Sequence, residues 1–126
     1  MILYKPFILI GSIAALLAVV FGAFGAHALK ARAGADLLAV FQTGVQYHFY
    51  HALGLILVGI LVGALGAENW TRAAGWLMLV GIAIFSGSLY LLVLTGQRWL
   101  GMITPIGGVA FIAAWATLAV AVVKSN

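Results

Sequence analysis

The sequence predicts an all-α integral membrane protein, a compact bundle of four transmembrane helices with short loops. Three observations carry that prediction. Hydrophobic residues fill 66% of the chain and charged residues 6%, whereas soluble domains carry about 25% charged residues; too few polar side chains exist to clothe a soluble core. The apolar residues fall into four runs, each long enough for the ~20 positions a spanning helix needs. The polar breaks between the runs are short, so positions 1–126 make one membrane domain with no room for a separate soluble unit.

The first span runs from about Pro6 to Leu29. Pro6 is tolerated because the first helical turn has no use for its missing N–H. Lys5, the run after it and Ala26-His27-Ala28 imitate a cleavable signal peptide. A signal's apolar region is about 7–15 residues, however, and Phe7 to Leu29 is uncharged over a full membrane thickness. Lys30 and Arg32 then read as the flank of a retained helix. From Lys30 to Gln42 lies the one longer connection, whose Leu37, Leu38, Val40 and Phe41 predict a short interfacial helix or an early start to the second span.

The second span is expected over about Thr43–Leu65, the third over Thr71–Thr95 and the fourth over Leu100–Val123. Glu68-Asn69-Trp70 and Gly96-Gln97-Arg98-Trp99 are predicted as tight interfacial turns. Trp70, Trp76 and Trp99 lie near span ends, where indoles favour the headgroup zone. Thr104-Pro105-Ile106-Gly107-Gly108 opens the fourth span and allows a kink or a close backbone contact. Broken helices also serve transporters, but no span carries a carboxylate to couple an ion or relay a proton. A solute pathway would then have to be assembled by oligomers.

An even number of spans puts both termini on one side. Lys5, Arg72 and Lys124 balance Lys30, Arg32 and Arg98, three against three, so the positive-inside rule assigns no orientation. Because these basic residues are scattered singly at span ends, the net charge of +4 marks headgroup contact and not nucleic-acid binding. The lack of cysteine removes disulfides, thiolate metal sites, thiol nucleophiles and lipoprotein anchors.

Small residues mark where helices in lipid approach closely. Ala14, Ala18, Gly22 and Ala26 form a four-residue ladder in the first span, and Gly59, Gly63 and Ala67 another in the second. Gly107, Ala110, Ala114, Thr117 and Ala121 make one stripe of the fourth. Three such faces predict a tight antiparallel bundle, with one face available for self-association or another membrane protein. A faint echo, Gly11 and Phe21 repeated 64 residues on as Gly75 and Phe85, hints at two parallel helix pairs.

Chemistry concentrates in Phe41–His51. At 100° per residue, Gln42, Thr43, Gln46, Tyr47, Tyr50 and His51 cover an arc of about 180°, with His48 just past its edge. Polar groups in lipid are costly unless they face protein or water, so the arc is expected to point into the bundle or to sit at the headgroups. The plainest role is an interhelical polar network. Three ligand readings stand beside it: copper or zinc on His48, His51 and His27, haem on the same imidazoles, or a quinone or lipid headgroup held by His, Tyr and Gln. Ser86 and Tyr90, four apart, share a face able to meet the arc. A serine nucleophile would need an oriented base and an oxyanion site, and Asp36 and Glu68, the two carboxylates, sit in connections; packing is the simpler role for Ser86.

Gly22-Ala23-Phe24-Gly25-Ala26-His27-Ala28, Phe41-Gln42-Thr43 through Tyr47-His48-Phe49-Tyr50-His51-Ala52-Leu53, Phe85-Ser86-Gly87-Ser88-Leu89-Tyr90, Leu94-Thr95-Gly96, Pro105-Ile106-Gly107-Gly108 and Ala114-Trp115 follow one another through all four spans. Together these blocks resemble the YgdD-like family of small bacterial membrane proteins, which is grouped under a domain of unknown function, number 423. The resemblance implies a four-span inner-membrane protein and brings no reaction, cofactor or substrate with it. The expected function is therefore a non-enzymatic module that interacts with lipid or another membrane protein. Its alternative is a binding or redox module holding haem, metal or quinone through His27, Gln46, Tyr47, His48, Tyr50, His51, Ser86 and Tyr90.

Overall fold

A computed structural model describes residues 2–125, and they form four long helices. α1 covers Lys5–Lys30, α2 Ala35–Ala64, α3 Glu68–Thr95 and α4 Arg98–Lys124, each long and apolar enough to cross a membrane. α2 starts at Ala35, eight residues ahead of the expected Thr43. The apolar residues of the long connection are therefore an early start of the second helix, and no separate interfacial helix forms. Glu68-Asn69-Trp70 likewise belongs to a helix, as the first turn of α3, where Glu68 pairs with Arg72 at 3.6 Å. Arg98–Met102 winds as a 3-10 turn that opens α4.

The turns after α2 and α3 each use a left-handed residue, and glycine supplies it. Gly66 and Gly96 have φ of 67° and 72°, and Gly96 closes α3 by donating its N–H to the Leu92 carbonyl at 2.8 Å. Such a position costs glycine nothing and strains any other residue.

Tyr4, the α2–α3 turn and Lys124 gather at one end of the bundle. The Tyr4 N–H bonds the Gly59 carbonyl at 2.8 Å, the Arg72 guanidinium lies 4.8 Å over the Tyr4 ring, and the Lys124 ammonium 5.7 Å over Trp70. The core near this end is built from Phe7, Leu55, Val58, Val62, Ala74, Met78, Ala114 and Leu118. Phe7 reaches it across α3 because Gly75 leaves room for its ring.

The small-residue ladders do different work along their length. Ala18 is buried, whereas Gly22 is exposed and Ala26 half-buried, both lining a groove between α1 and α2. Gly59 is buried beside Tyr4 and Ile8, and Gly63, although accessible on its other side, lies against the Ile2 backbone so closely that a Cβ there would collide with it. In α4, Gly107, Phe111, Ala114, Leu118 and Ala121 form the buried stripe and Ala110 sits at its edge. At Gly107 the stripe leaves no room for a side chain. A Cβ there would stand 2.7 Å from the Cα of Phe85, so α3 and α4 touch backbone to backbone.

Two helices carry a π-turn, Phe21–Gly25 in α1 and Ile82–Ser86 in α3. Phe21 and Phe85, the two phenylalanines of the 64-residue echo, lie one in each.

Candidate functional site

The polar arc of α2 does not point inward as a whole. Gly44, His48, His51, Ala52 and Leu55 form its buried stripe, while Gln42, Gln46, Tyr47 and Tyr50 are exposed. The reason is packing: glycine and alanine let α1, α3 and α4 close on the stripe that contains them, and the bulkier polar side chains are left outside. Of the polar side chains from Gln42 to His51, the two histidines are the ones that the neighbouring helices bury.

His51 is held by two bonds. Its Nδ1 lies 2.7 Å from the Tyr47 carbonyl, and the indole Nε1 of Trp115 lies 3.0 Å from its Nε2. A carbonyl can only accept and an indole N–H can only donate. Nδ1 therefore carries the proton, Nε2 accepts, and the ring is neutral with no lone pair free for a metal. Phe111 stacks on the imidazole at 3.5 Å between centroids and 9° between planes.

His48 lies one turn nearer the other end of the bundle. Its Nδ1 is 2.8 Å from the Tyr90 hydroxyl of α3, and Phe21 packs edge-on against Tyr90 at 5.2 Å. α1, α2 and α3 thus meet at one histidine–tyrosine pair. Ser86 makes its hydrogen bond to the α2 backbone and not to either histidine. Its hydroxyl donates to the Gly44 carbonyl at 2.7 Å, which commits the proton that a nucleophile would have to lose. Ser88 joins α3 to α4 through Thr104 at 2.6 Å.

His27 stands apart, exposed near the end of α1, where it lines the α1–α2 groove with Lys30 and Gln42. Among the described residues no three His, Asp or Glu side chains form a group able to hold a metal ion. The three-histidine arrangement expected from the sequence is therefore not brought together, because α1 meets α2 along small residues that turn His27 outward. Tyr90 is joined to the arc as the four-residue spacing suggested; Ser86 meets the backbone of α2 instead.

Beside His51 a cleft of about 570 Å³ opens between α2, α3 and α4, walled by Tyr47, Phe85, Phe111 and Trp115, with Tyr50 at its edge. Tyr47 and Tyr50 remain 39% and 53% exposed, enough for both phenols to be open to whatever surrounds the helix. Phe111 and the bond made by Trp115 lie outside the residues that the sequence singles out as candidates. Their signal is in the sequence: Phe111 and Trp115, four apart and the two aromatics of the run from Thr104 to Lys124, share a face.

Fold and site define a small multi-pass helical membrane protein whose buried histidines and serines bond between its own helices. The family described as "Protein of unknown function (DUF423)" matches residues 21–108, a range that takes in His48, His51, Ser86, Tyr90 and the Gly107 contact. The UPF0382 membrane protein YwdK of Bacillus subtilis strain 168 is 54% identical over 120 residues, covering 95% of this chain and 98% of that protein. UPF0382 membrane protein SH2409 of Staphylococcus haemolyticus is 45% identical over 121 residues, covering 95% and 97%. UPF0382 membrane protein SERP0230 of Staphylococcus epidermidis is 46% identical over the same coverage. No solved structure matches the chain. The chain belongs to the DUF423 family of membrane proteins of unknown function.

Proposed function

We propose that this protein works by binding, not catalysis, as an interaction module of the bacterial inner membrane with both termini on one side. The observation that carries the proposal is the division of polar groups on α2. His48 and His51 are spent on bonds to Tyr90, Trp115 and the Tyr47 carbonyl, and Ser86 on the Gly44 carbonyl, while Gln46, Tyr47 and Tyr50 present theirs to the surroundings. A catalyst keeps its reactive groups accessible and oriented by partners; here the accessible groups are amides and phenols suited to recognition. Helical spans, and not a β-barrel, support the inner membrane as the location.

A second reading, a binding or redox module for a quinone, draws on the aromatic cleft, whose walls suit a planar ring and whose Tyr47 and Tyr50 hydroxyls can meet a carbonyl oxygen. Haem or metal ligation is the weaker branch, because His51 would first have to give up its bond to Trp115.

Native mass spectrometry of the protein released from mild detergent tests the binding reading. A reproducible lipid or quinone mass, or a second protein, is expected on the wild type. Tyr47→Phe together with Tyr50→Phe should lower occupancy of a small-molecule adduct by several-fold while leaving the fold intact. Bare monomer under all release conditions, with no adduct in either protein, would overturn the proposal.

A further inference from the structure

The outward half of the α2 arc is a ladder. Gln42, Gln46 and Tyr50 recur every four residues on the exposed side of the helix, and none has a side-chain hydrogen bond among the described residues. The same stripe begins at exposed Ala39 and continues as Leu53, Leu57 and Ile60, which are 48%, 45% and 36% exposed. Steps of three and four along a helix make a straight seam, the geometry by which two helices pack.

Depth decides what can cover this seam. α2 has 30 residues, about 45 Å at 1.5 Å each, against a hydrocarbon core of ~30 Å. Tyr50 lies about 22 Å along it, inside the core whichever end of α2 is pinned at the headgroups, and Gln46, at about 16 Å, falls between the core's edge and its middle. An amide or phenol there has no water to bond and is costly to leave unpaired.

We propose that the α2 seam is the contact face of a parallel homodimer with its two-fold axis along the membrane normal. Such an axis sets every residue opposite its own copy at the same depth. A carboxamide both donates and accepts, so Gln42 and Gln46 each complement themselves, as the phenol of Tyr50 does. A lipid concentrates its polar atoms at the headgroup and offers the deeper rungs a bare acyl chain, so it matches the ladder at one end at most. Leu53, Leu57 and Ile60 continue the contact as apolar packing. Beside the ladder, the groove lined by Gly22, Ala26, Gln42 and Gln46 leaves a recess for the opposing ridge. The inference rests on the binding reading above and names its partner as a second copy of this chain.

The chain contains no cysteine, so single cysteines report contacts without background. Ala39→Cys and Leu53→Cys on the seam, and Val109→Cys on α4, 64% exposed, would be oxidised with copper phenanthroline in membranes at low expression. The seam positions are expected to give disulfide-linked dimer at least five-fold above Val109→Cys. Adding Gln42→Leu and Gln46→Leu to Leu53→Cys should remove most of that dimer. Seam yields no higher than that of Val109→Cys overturn the dimer. If native mass spectrometry then finds a monomer carrying a lipid that is lost with Lys30→Gln, the dimer has failed and the binding reading survives. A bare monomer overturns both.

Discussion

At His51 the two ring nitrogens have different jobs, and both are structural. The coupling between two hydrogen-bonded side chains inside a membrane bundle averages about 0.6 kcal/mol and reaches about 1.7. His51→Phe and Trp115→Phe are each expected to destabilise the protein, and the double variant to lose less than the sum by about 0.6–1.7 kcal/mol. Unfolding in sodium dodecyl sulfate measures the cycle; strict additivity would mean that the 3.0 Å contact contributes nothing. The sequence marked Phe41–His51 as unusual and could go no further. An arc half a helix wide shows which residues share a side but not where the neighbours stand. Gly44, His48 and His51 turned inward because α3 and α4 bring Tyr90, Phe111 and Trp115 to them, a tertiary fact that periodicity in one helix does not contain.

Among the elements, the four helices were legible because a bilayer demands long uncharged runs. Their ends were less so: Ala35 and Glu68 start helices earlier than hydropathy indicates, since a helix continues past the hydrocarbon edge while its backbone bonds are satisfied. The small-residue stripes were visible too, yet their strength was not. Gly107 and Gly87 look alike in sequence and differ in surroundings. A Cβ at Gly107 meets the Phe85 backbone, and one at Gly87 meets nothing within 4 Å. Gly107→Ala should therefore cost about 1–3 kcal/mol, since α3 and α4 must part. Gly87→Ala should be neutral or stabilise by up to about 1 kcal/mol, as the helix sheds a flexible residue. Thermal stability in detergent separates the two, and equal effects would remove the backbone contact from the account.

The whole molecule is uneven. Within the most apolar stretch of each helix, 17% of α1 is buried against 44% of α2 and of α3, so α1 is mainly a lipid-facing helix laid along α2. It is tied across to α3 through Phe7 at Gly75 and Phe21 at Tyr90. Those ties depend on register, and register bears on how the chain can be shortened. The π-turn at Ile82–Ser86 holds one residue more than an α-helical turn, and that surplus lets the chain lose a residue without turning the rest of the helix. Deletion of Ala83 should let α3 close as ordinary α-helix, with Tyr90 still facing His48 and Gly107 still meeting Phe85. Deletion of Ile56, in the middle of α2, which is α-helical throughout, should swing everything beyond it by about 100° and abolish the folded protein. Size-exclusion profiles of fluorescently tagged variants would compare the two; equal loss would mean that the π-turn is no reserve of length.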